Sequence, residues 1–413
     1  MKKIIAIICA VIIFSFTVYA DTAENVDAVS ASSSNLATEY YSSDLFSEPT
    51  DFAATVPMNS VPEIKAKSLV LMEASTGEVL YENNSNEKLS PASVTKIMTL
   101  LLVIEAVDNG TISLSDIVTT SDHAASMGGS QIWLKPGEEM TVDELLKAAA
   151  VGSANDASVA LAEYIAGSEE GFVALMNERA AELQMKNTCF KNACGLDEDG
   201  HYTSANDIAL MSKELLSHDT IKKYTTIWMD SLREGKTELV NTNKLVRFYQ
   251  GATGLKTGTT DKAGFCLAAS AKRDNMELIS VVMAAESSND RFTGAKKLLD
   301  YGFANYTITT PEIDTSAIST IPVLKGIERE VAIDVEPIHN TLIKKGEESK
   351  IVTQIDVKPS IDAPILENTQ VGTLKVMLNE KVIGEYKIYT IDSVDKVTFW
   401  FSFKKICSFA FSL

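Results

Sequence analysis

Ser93 and Lys96 stand three residues apart in Ser93-Val94-Thr95-Lys96, and three residues along a helix is one face. A serine hydroxyl is a poor nucleophile until a base takes its proton. Lysine can be that base when burial or another cation lowers its pKa, and the apolar run from Ile97 to Leu102 would supply the burial. Two further clusters carry compatible groups. Ser153-Ala154-Asn155 offers a second hydroxyl and a carboxamide, while Lys256-Thr257-Gly258-Thr259 offers a second lysine and two more hydroxyls. Each cluster alone arises by chance in structural helices and loops. Their joint occurrence points to nucleophilic catalysis by Ser93 with Lys96 as its base. The four histidines, His123, His201, His218 and His339, lack metal-ligand spacing. They read as surface or loop residues, and neither a metal nor a cofactor is expected.

The elements that must hold these groups are legible in outline. Ser90 suits an N-cap and Pro91 a first helical turn, so a helix is expected to open there and carry Ser93 and Lys96 into a core. Ser153 follows the helical pattern Val142 to Ala150, and a second long helical pattern runs from Phe172 to Leu183. Ser68 to Met72 reads as a strand, Gly77 as a turn, and Glu78 to Tyr81 as its hairpin partner. The Lys256 cluster lies directly before Gly264 to Ala271, a strong strand pattern. Glu277 to Ala285 is another, with Lys272 to Asn275 as the turn. Strands, then helices, then strands again imply an α+β domain over 61–306 whose sheet is assembled from both ends.

The rest of the 413 residues frame that domain. Lys2 and Lys3, an apolar run from Ile4 to about Phe16 and a Val18-Tyr19-Ala20 site make residues 1–20 an export signal, too short to span a membrane. Its removal takes the net charge from −19 to −21, because it loses two lysines and no acid. Residues 21–60 read as an acidic, disordered spacer. Residues 313–393 show only short alternating runs, such as Ile351 to Val357 and Val371 to Met377, and read as a small all-β domain. Over 396–413, Phe399, Trp400, Phe403, Ile406, Cys407, Ala410, Phe411 and Leu413 share one arc of a helical wheel, with Lys404 and Lys405 opposite. That pattern suits a helix lying on a membrane surface, although Phe399, Phe401 and Phe403 also alternate as a terminal strand would. Nucleic acid is not an expected partner at this charge. Cys189, Cys194, Cys266 and Cys407 read as free, with Cys189 and Cys194 near enough in sequence to bridge.

Ser-x-x-Lys, Ser-x-Asn and Lys-Thr-Gly in this order form the motif set of penicillin-recognising serine enzymes. From about Ser68 to Leu413 the chain resembles the low-molecular-mass penicillin-binding proteins that are serine-type D-alanyl-D-alanine carboxypeptidases. Gly254 to Gly264, Asn155-Asp156-Ala157 and Gly195-Leu196-Asp197 look like that family's own segments. The resemblance implies a transpeptidase-like domain of the penicillin-binding-protein and β-lactamase type, a sheet of about five strands flanked by helices, followed by a small all-β domain. It implies partners too: peptidoglycan stem peptides ending in D-Ala-D-Ala, β-lactam antibiotics, and the outer face of the cell membrane through the C-terminal helix.

On these positions the resemblance makes Ser93 the nucleophile and Lys96 its base, with Ser153 passing a proton to the departing D-alanine. It makes Asn155 a partner of Lys96 or of the substrate amide. Lys256, Thr257, Gly258 and Thr259 become the segment that receives the terminal carboxylate, and the N–H groups of Ser93, at a helix N-terminus, and of Thr259, on the edge strand, an oxyanion site. Three positions depart from the pattern: Ala154 where glycine is common, Thr259 where some members have histidine, and Thr242 where some place an arginine, for which Arg247 is one possible substitute. A peptidoglycan DD-endopeptidase is the nearest alternative. A β-lactamase is more distant, because no Glu-x-x-Leu-Asn-like segment follows Asn155.

Overall fold

A computed structural model describes residues 60–61, 63–311 and 319–410, with side chains as far as 408. The export signal over 1–20 and nearly all of the spacer over 21–60 lie outside the described residues. At the centre is a five-stranded antiparallel sheet of β1 (Ala66–Glu73), β2 (Val79–Asn83), β3 (Ala252–Thr260), β4 (Gly264–Arg273) and β5 (Met276–Ala285), in the order β2-β1-β5-β4-β3. It is assembled from both ends of the domain, as the order of the patterns implies. The turn between β4 and β5 is tighter than expected, since the strands extend to Arg273 and from Met276.

The two-residue period of the strands sorts their side chains onto two faces. Val70, Met72, Ile279, Val281 and Met283 enter the large core shared with the helices. Leu69, Leu71, Leu278 and Val282 are buried outside that core, and the long C-terminal helix of the domain packs against β5, β4 and β1.

Between β2 and β3 the helical lobe comprises α1 (Lys96–Asp108), α2 (Val142–Val151), α3 (Asn155–Ala166), α4 (Glu169–Glu182) and α5 (Ala205–Ser217); after β5 comes α6 (Ser288–Asn305). α1 buries nine of its residues, from Lys96 to Ala106, with no single polar stripe. Such a helix belongs inside a core. α2 begins with a capping box, the Thr141 hydroxyl accepting from the Glu144 N–H while Glu144 Oε2 accepts from the Thr141 N–H.

One local expectation needs correction. Ser90 does not cap the helix; its hydroxyl donates to Asp197 Oδ1 at 3.1 Å, and a 3₁₀ turn over Ala92–Thr95 leads into α1 instead. The Lys256 cluster lies within β3, the edge strand on which the resemblance sets Thr259.

Beyond α6, strands β6 (Thr320–Leu324), β7 (Glu330–Val335), β8 (Ile351–Val357), β9 (Ile361–Asp362), β10 (Gln370–Leu378) and β11 (Lys381–Thr390) form a second sheet in the order β8-β10-β11-β7-β6-β9. Ile321, Val331, Ile333, Leu374, Val376 and Ile388 are among the residues of its own separate core. A short strand, Thr341–Lys344, leaves this sheet to pair with Tyr306–Thr309 directly after α6. The tail is helical, α7 (Phe399–Ala410), and not a terminal strand. It leaves Phe399, Trp400, Phe403 and Ile406 exposed. No described helix is long and apolar enough to cross a membrane.

Candidate active site

The 3₁₀ turn and the first residue of α1 place Ser93 and Lys96 side by side. Lys96 Nζ donates to Ser93 Oγ at 3.1 Å, to Asn155 Oδ1 at 2.6 Å and to the Cys194 carbonyl at 2.7 Å. Lys96 is fully buried. Burial, only partly offset by Cys194 and Asp156, lowers its pKa from 10.5 to about 8. The neutral amine needed to take a hydroxyl proton is therefore present near neutrality. All three of Lys96's neighbours are uncharged acceptors, which hold the amine in place without locking it as an ammonium.

Asn155 is the first residue of α3 and is fixed at three points. Its N–H donates to Ser130 O at 2.7 Å and its Nδ2 to Gly128 O at 2.6 Å, which leaves Oδ1 turned to Lys96. Ser153 sits two residues earlier, almost wholly buried, in the left-handed region at φ 61°. A non-glycine residue held there is a sparsely populated conformation that concentrates at functional sites. Asp156, fully buried, accepts from the Ile132 and Leu134 N–H groups. It thereby holds the same 128–134 loop from the other side.

β3 forms the opposite wall. It is the edge strand of the sheet, so its outward N–H and C=O groups have no neighbouring strand. Gly258 lies against the 3₁₀ turn so closely that a Cβ there would come within 2.7 Å of Pro91 O and 3.0 Å of Ser93 N. This contact brings the Lys-Thr-Gly segment to the turn that carries the nucleophile. Lys256 is buried, donates to Thr257 O at 3.1 Å, and is pushed well below an ordinary lysine by desolvation first and by Lys96 and Arg291 next. Thr257 Oγ1 donates to Thr242 Oγ1 at 2.7 Å, and Thr259 is exposed.

Two residues outside the sequence-derived set belong to this wall. Arg291 of α6 donates through Nη1 to Thr259 Oγ1 at 2.8 Å and to Gly258 O at 3.1 Å. It is a guanidinium beside the motif; Arg247 is exposed on the short helix Leu245–Phe248. No local signal marks Arg291, which lies 32 residues from Thr259. Asp197 is the second: its Oδ1 accepts from Thr260 Oγ1 at 2.8 Å and from Ser90 Oγ, pinning the end of β3 to the entry of the 3₁₀ turn.

His201 lies in a loop as expected but is buried and not at the surface. Its Nδ1 accepts from the Lys191 N–H, so Nε2 carries the proton and donates to Thr95 Oγ1 at 2.8 Å. Burial lowers its pKa to about 4, which keeps the ring neutral. Cys189 and Cys194 are not bridged, and all four cysteines of the described residues are free. Glu105, Glu214 and His218 are the one ligand-like trio among the described residues. Arg179 already pairs both of its carboxylates at 2.7 Å.

Comparisons with known proteins show the family of the chain. Residues 55–287 match the D-alanyl-D-alanine carboxypeptidase family and residues 312–396 the C-terminal domain of penicillin-binding protein 5. The chain is 48% identical over 339 residues to D-alanyl-D-alanine carboxypeptidase DacF of Bacillus subtilis, covering 81% of this chain and 87% of that one. Penicillin-binding protein 5 of Haemophilus influenzae superposes with a TM-score of 0.71 at 31% identity, over 82% of this chain and 99% of that one. Penicillin-binding protein D2 of Listeria monocytogenes, solved in its ampicillin-bound form, superposes with a TM-score of 0.54 at 33% identity over 59% of this chain and all of that one.

Proposed function

The chain belongs to the D-alanyl-D-alanine carboxypeptidase family, and from that premise we propose that Ser93 is the nucleophile that removes the terminal D-alanine from peptidoglycan stem peptides. The observation that carries this assignment is the contact of Lys96 Nζ with Ser93 Oγ at 3.1 Å, with Lys96 buried and its pKa lowered by that burial. Lys96 accepts the Ser93 proton as Oγ attacks the carbonyl carbon between the last two D-alanines. The resulting oxyanion is received by the N–H groups of Ser93 and Thr259, fixed in the protein before reaction begins. Collapse of the tetrahedral intermediate breaks the C–N bond. Ser153 relays the proton held by Lys96 to the departing D-alanine nitrogen, leaving an ester on Ser93. Water then attacks that ester, giving up a proton to Lys96, and Ser93 Oγ leaves with it.

Lys256, Thr257 and Thr259 receive the substrate's terminal carboxylate. Arg291 supports that role by fixing the Thr259 hydroxyl, and Thr242 takes the place of a cation with a hydroxyl partner for Thr257. A β-lactam presents an amide and a carboxylate to the same groups, a reading supported by the ampicillin-bound form of the Listeria relative. The enzyme acts on peptidoglycan and therefore outside the cytoplasm. Residues 1–20 serve as the export signal, and the exposed aromatic face of α7 rests on the outer membrane surface, with the β domain standing the catalytic domain off from it.

Release of D-alanine from a pentapeptide ending in D-Ala-D-Ala tests the reading. The intact protein is expected to release it and Ser93→Ala to release none. Equal release by both would place the nucleophile elsewhere.

A further inference from the structure

Glu169 is the first residue of α4, where a carboxylate is favoured by the helix N-terminus. Its two oxygens face different loops. Oε1 accepts from the Ala193 N–H at 2.9 Å, and Oε2 meets His123 Nε2 at 2.7 Å. Both loops lead directly to Lys96. Ala193 precedes Cys194, whose carbonyl accepts from Lys96 Nζ at 2.7 Å. His123 belongs to the short helix Asp122–Ala125, from which the chain runs on to Gly128 and Ser130, the carbonyls that fix Asn155. Asn155 Oδ1 is the other uncharged acceptor that aims Lys96.

We infer that Glu169, seated by His123, is a positioning residue for Lys96: one carboxylate ties the loop that supplies the Cys194 carbonyl to the loop that fixes Asn155, the lysine's other aiming partner. The inference rests on the reading of Lys96 as the base for Ser93.

The surroundings favour a charged tie. Glu169 is only 12% exposed whereas His123 is half exposed, so the carboxylate is the shielded partner. His123 is held more readily protonated than an ordinary histidine, first by its hydrogen bond to Glu169 and then by the negative charge of Glu169, Glu163 and Glu170, against the opposing effect of burial. Glu163 comes from α3 and is held by the Ser121 hydroxyl, Glu170 comes from α4, and Asp122 is on His123's own helix.

The consequence differs from general loosening. Acceptors on Lys96 Nζ favour its protonated form, so an untethered Cys194 carbonyl makes the amine easier to deprotonate while spoiling its aim. The test is the rate of covalent acylation by penicillin against pH, which in the intact protein is expected to rise through the Lys96 pKa near 8. In Glu169→Ala the rise is expected to move to lower pH by about half a unit, and the plateau to fall about tenfold as the amine loses its alignment. Glu169→Gln, which still accepts from the Ala193 N–H, is expected to fall between the two. His123→Ala removes only the seat and is expected to shift the rise in the same direction by less.

A folded Glu169→Ala whose rise stays in place overturns the inference even if its plateau drops, because a merely structural loss lowers the rate without moving the limb. Should Glu169→Ala not fold, an unmoved rise in His123→Ala overturns it equally. Intact protein that penicillin does not acylate overturns the Ser93–Lys96 reading and this inference with it. Acylated intact protein with unshifted variants overturns this inference alone.

Discussion

Lys96 is buried beside a second buried lysine, and the protein meets the cost of two such groups by lowering the pKa of each. Because a base must be neutral to take a proton, acylation is expected to be slow where Lys96 is protonated and to increase as pH rises through about 8. Lys96→Arg keeps a cation of similar length that cannot deprotonate, and is expected to lose about 10²- to 10⁴-fold in acylation rate, the usual worth of general-base help. Stopped-flow acylation across pH checks both. At this scale the sequence was informative where chemistry sits within one helical turn, as in Ser93 and Lys96. It was silent where the partner is a backbone group or comes from a distant element. Nothing in Cys194 as a residue type announces that its carbonyl holds Lys96, and nothing local announces Arg291.

At the scale of elements, the site is a contact between the 3₁₀ turn, β3 and two loops, and small residues make that contact possible. Gly195 has φ 86°, and a Cβ there would lie 1.9 Å from Ala92 O, within the turn that carries Ser93. Gly195→Ala is expected to cost at least about 2 kcal/mol of stability, through the backbone conformation and the clash together, and to abolish acylation by displacing the turn. Urea unfolding and penicillin labelling of the soluble variant check this; a stable, fully labelled Gly195→Ala would contradict it. The hairpin of β1 and β2 and the pair β4 and β5 were legible because their apolar residues alternate or run continuously. β3 was legible only through the resemblance and not from its pattern, because Lys256, Thr257, Thr259 and Thr260 interrupt the apolar run. Ser90 illustrates the opposite failure: an apt cap by residue type, it is drawn away by Asp197, more than 100 residues further on.

Across the whole molecule, the catalytic and β domains have separate hydrophobic cores, joined by the pairing of Tyr306–Thr309 with Thr341–Lys344. Separation of the all-β segment was legible from the loss of helical pattern, but this seam was not, because each of its strands is only four residues long. α7 presents Phe399, Trp400, Phe403 and Ile406 to solvent, with Lys404 and Lys405 exposed beside them, the composition of an interfacial helix. Deleting residues 396–413 is expected to abolish co-sedimentation with anionic vesicles while leaving acylation unchanged; undiminished co-sedimentation would remove the membrane role from this helix. The most direct test of Ser93 as the nucleophile is mass spectrometry of the protein after incubation with penicillin, followed by peptide mapping. One penicillin added per chain, on the peptide that contains Ser93 and absent from Ser93→Ala, is the result expected. An adduct on any other residue, or none on the folded protein, would contradict it.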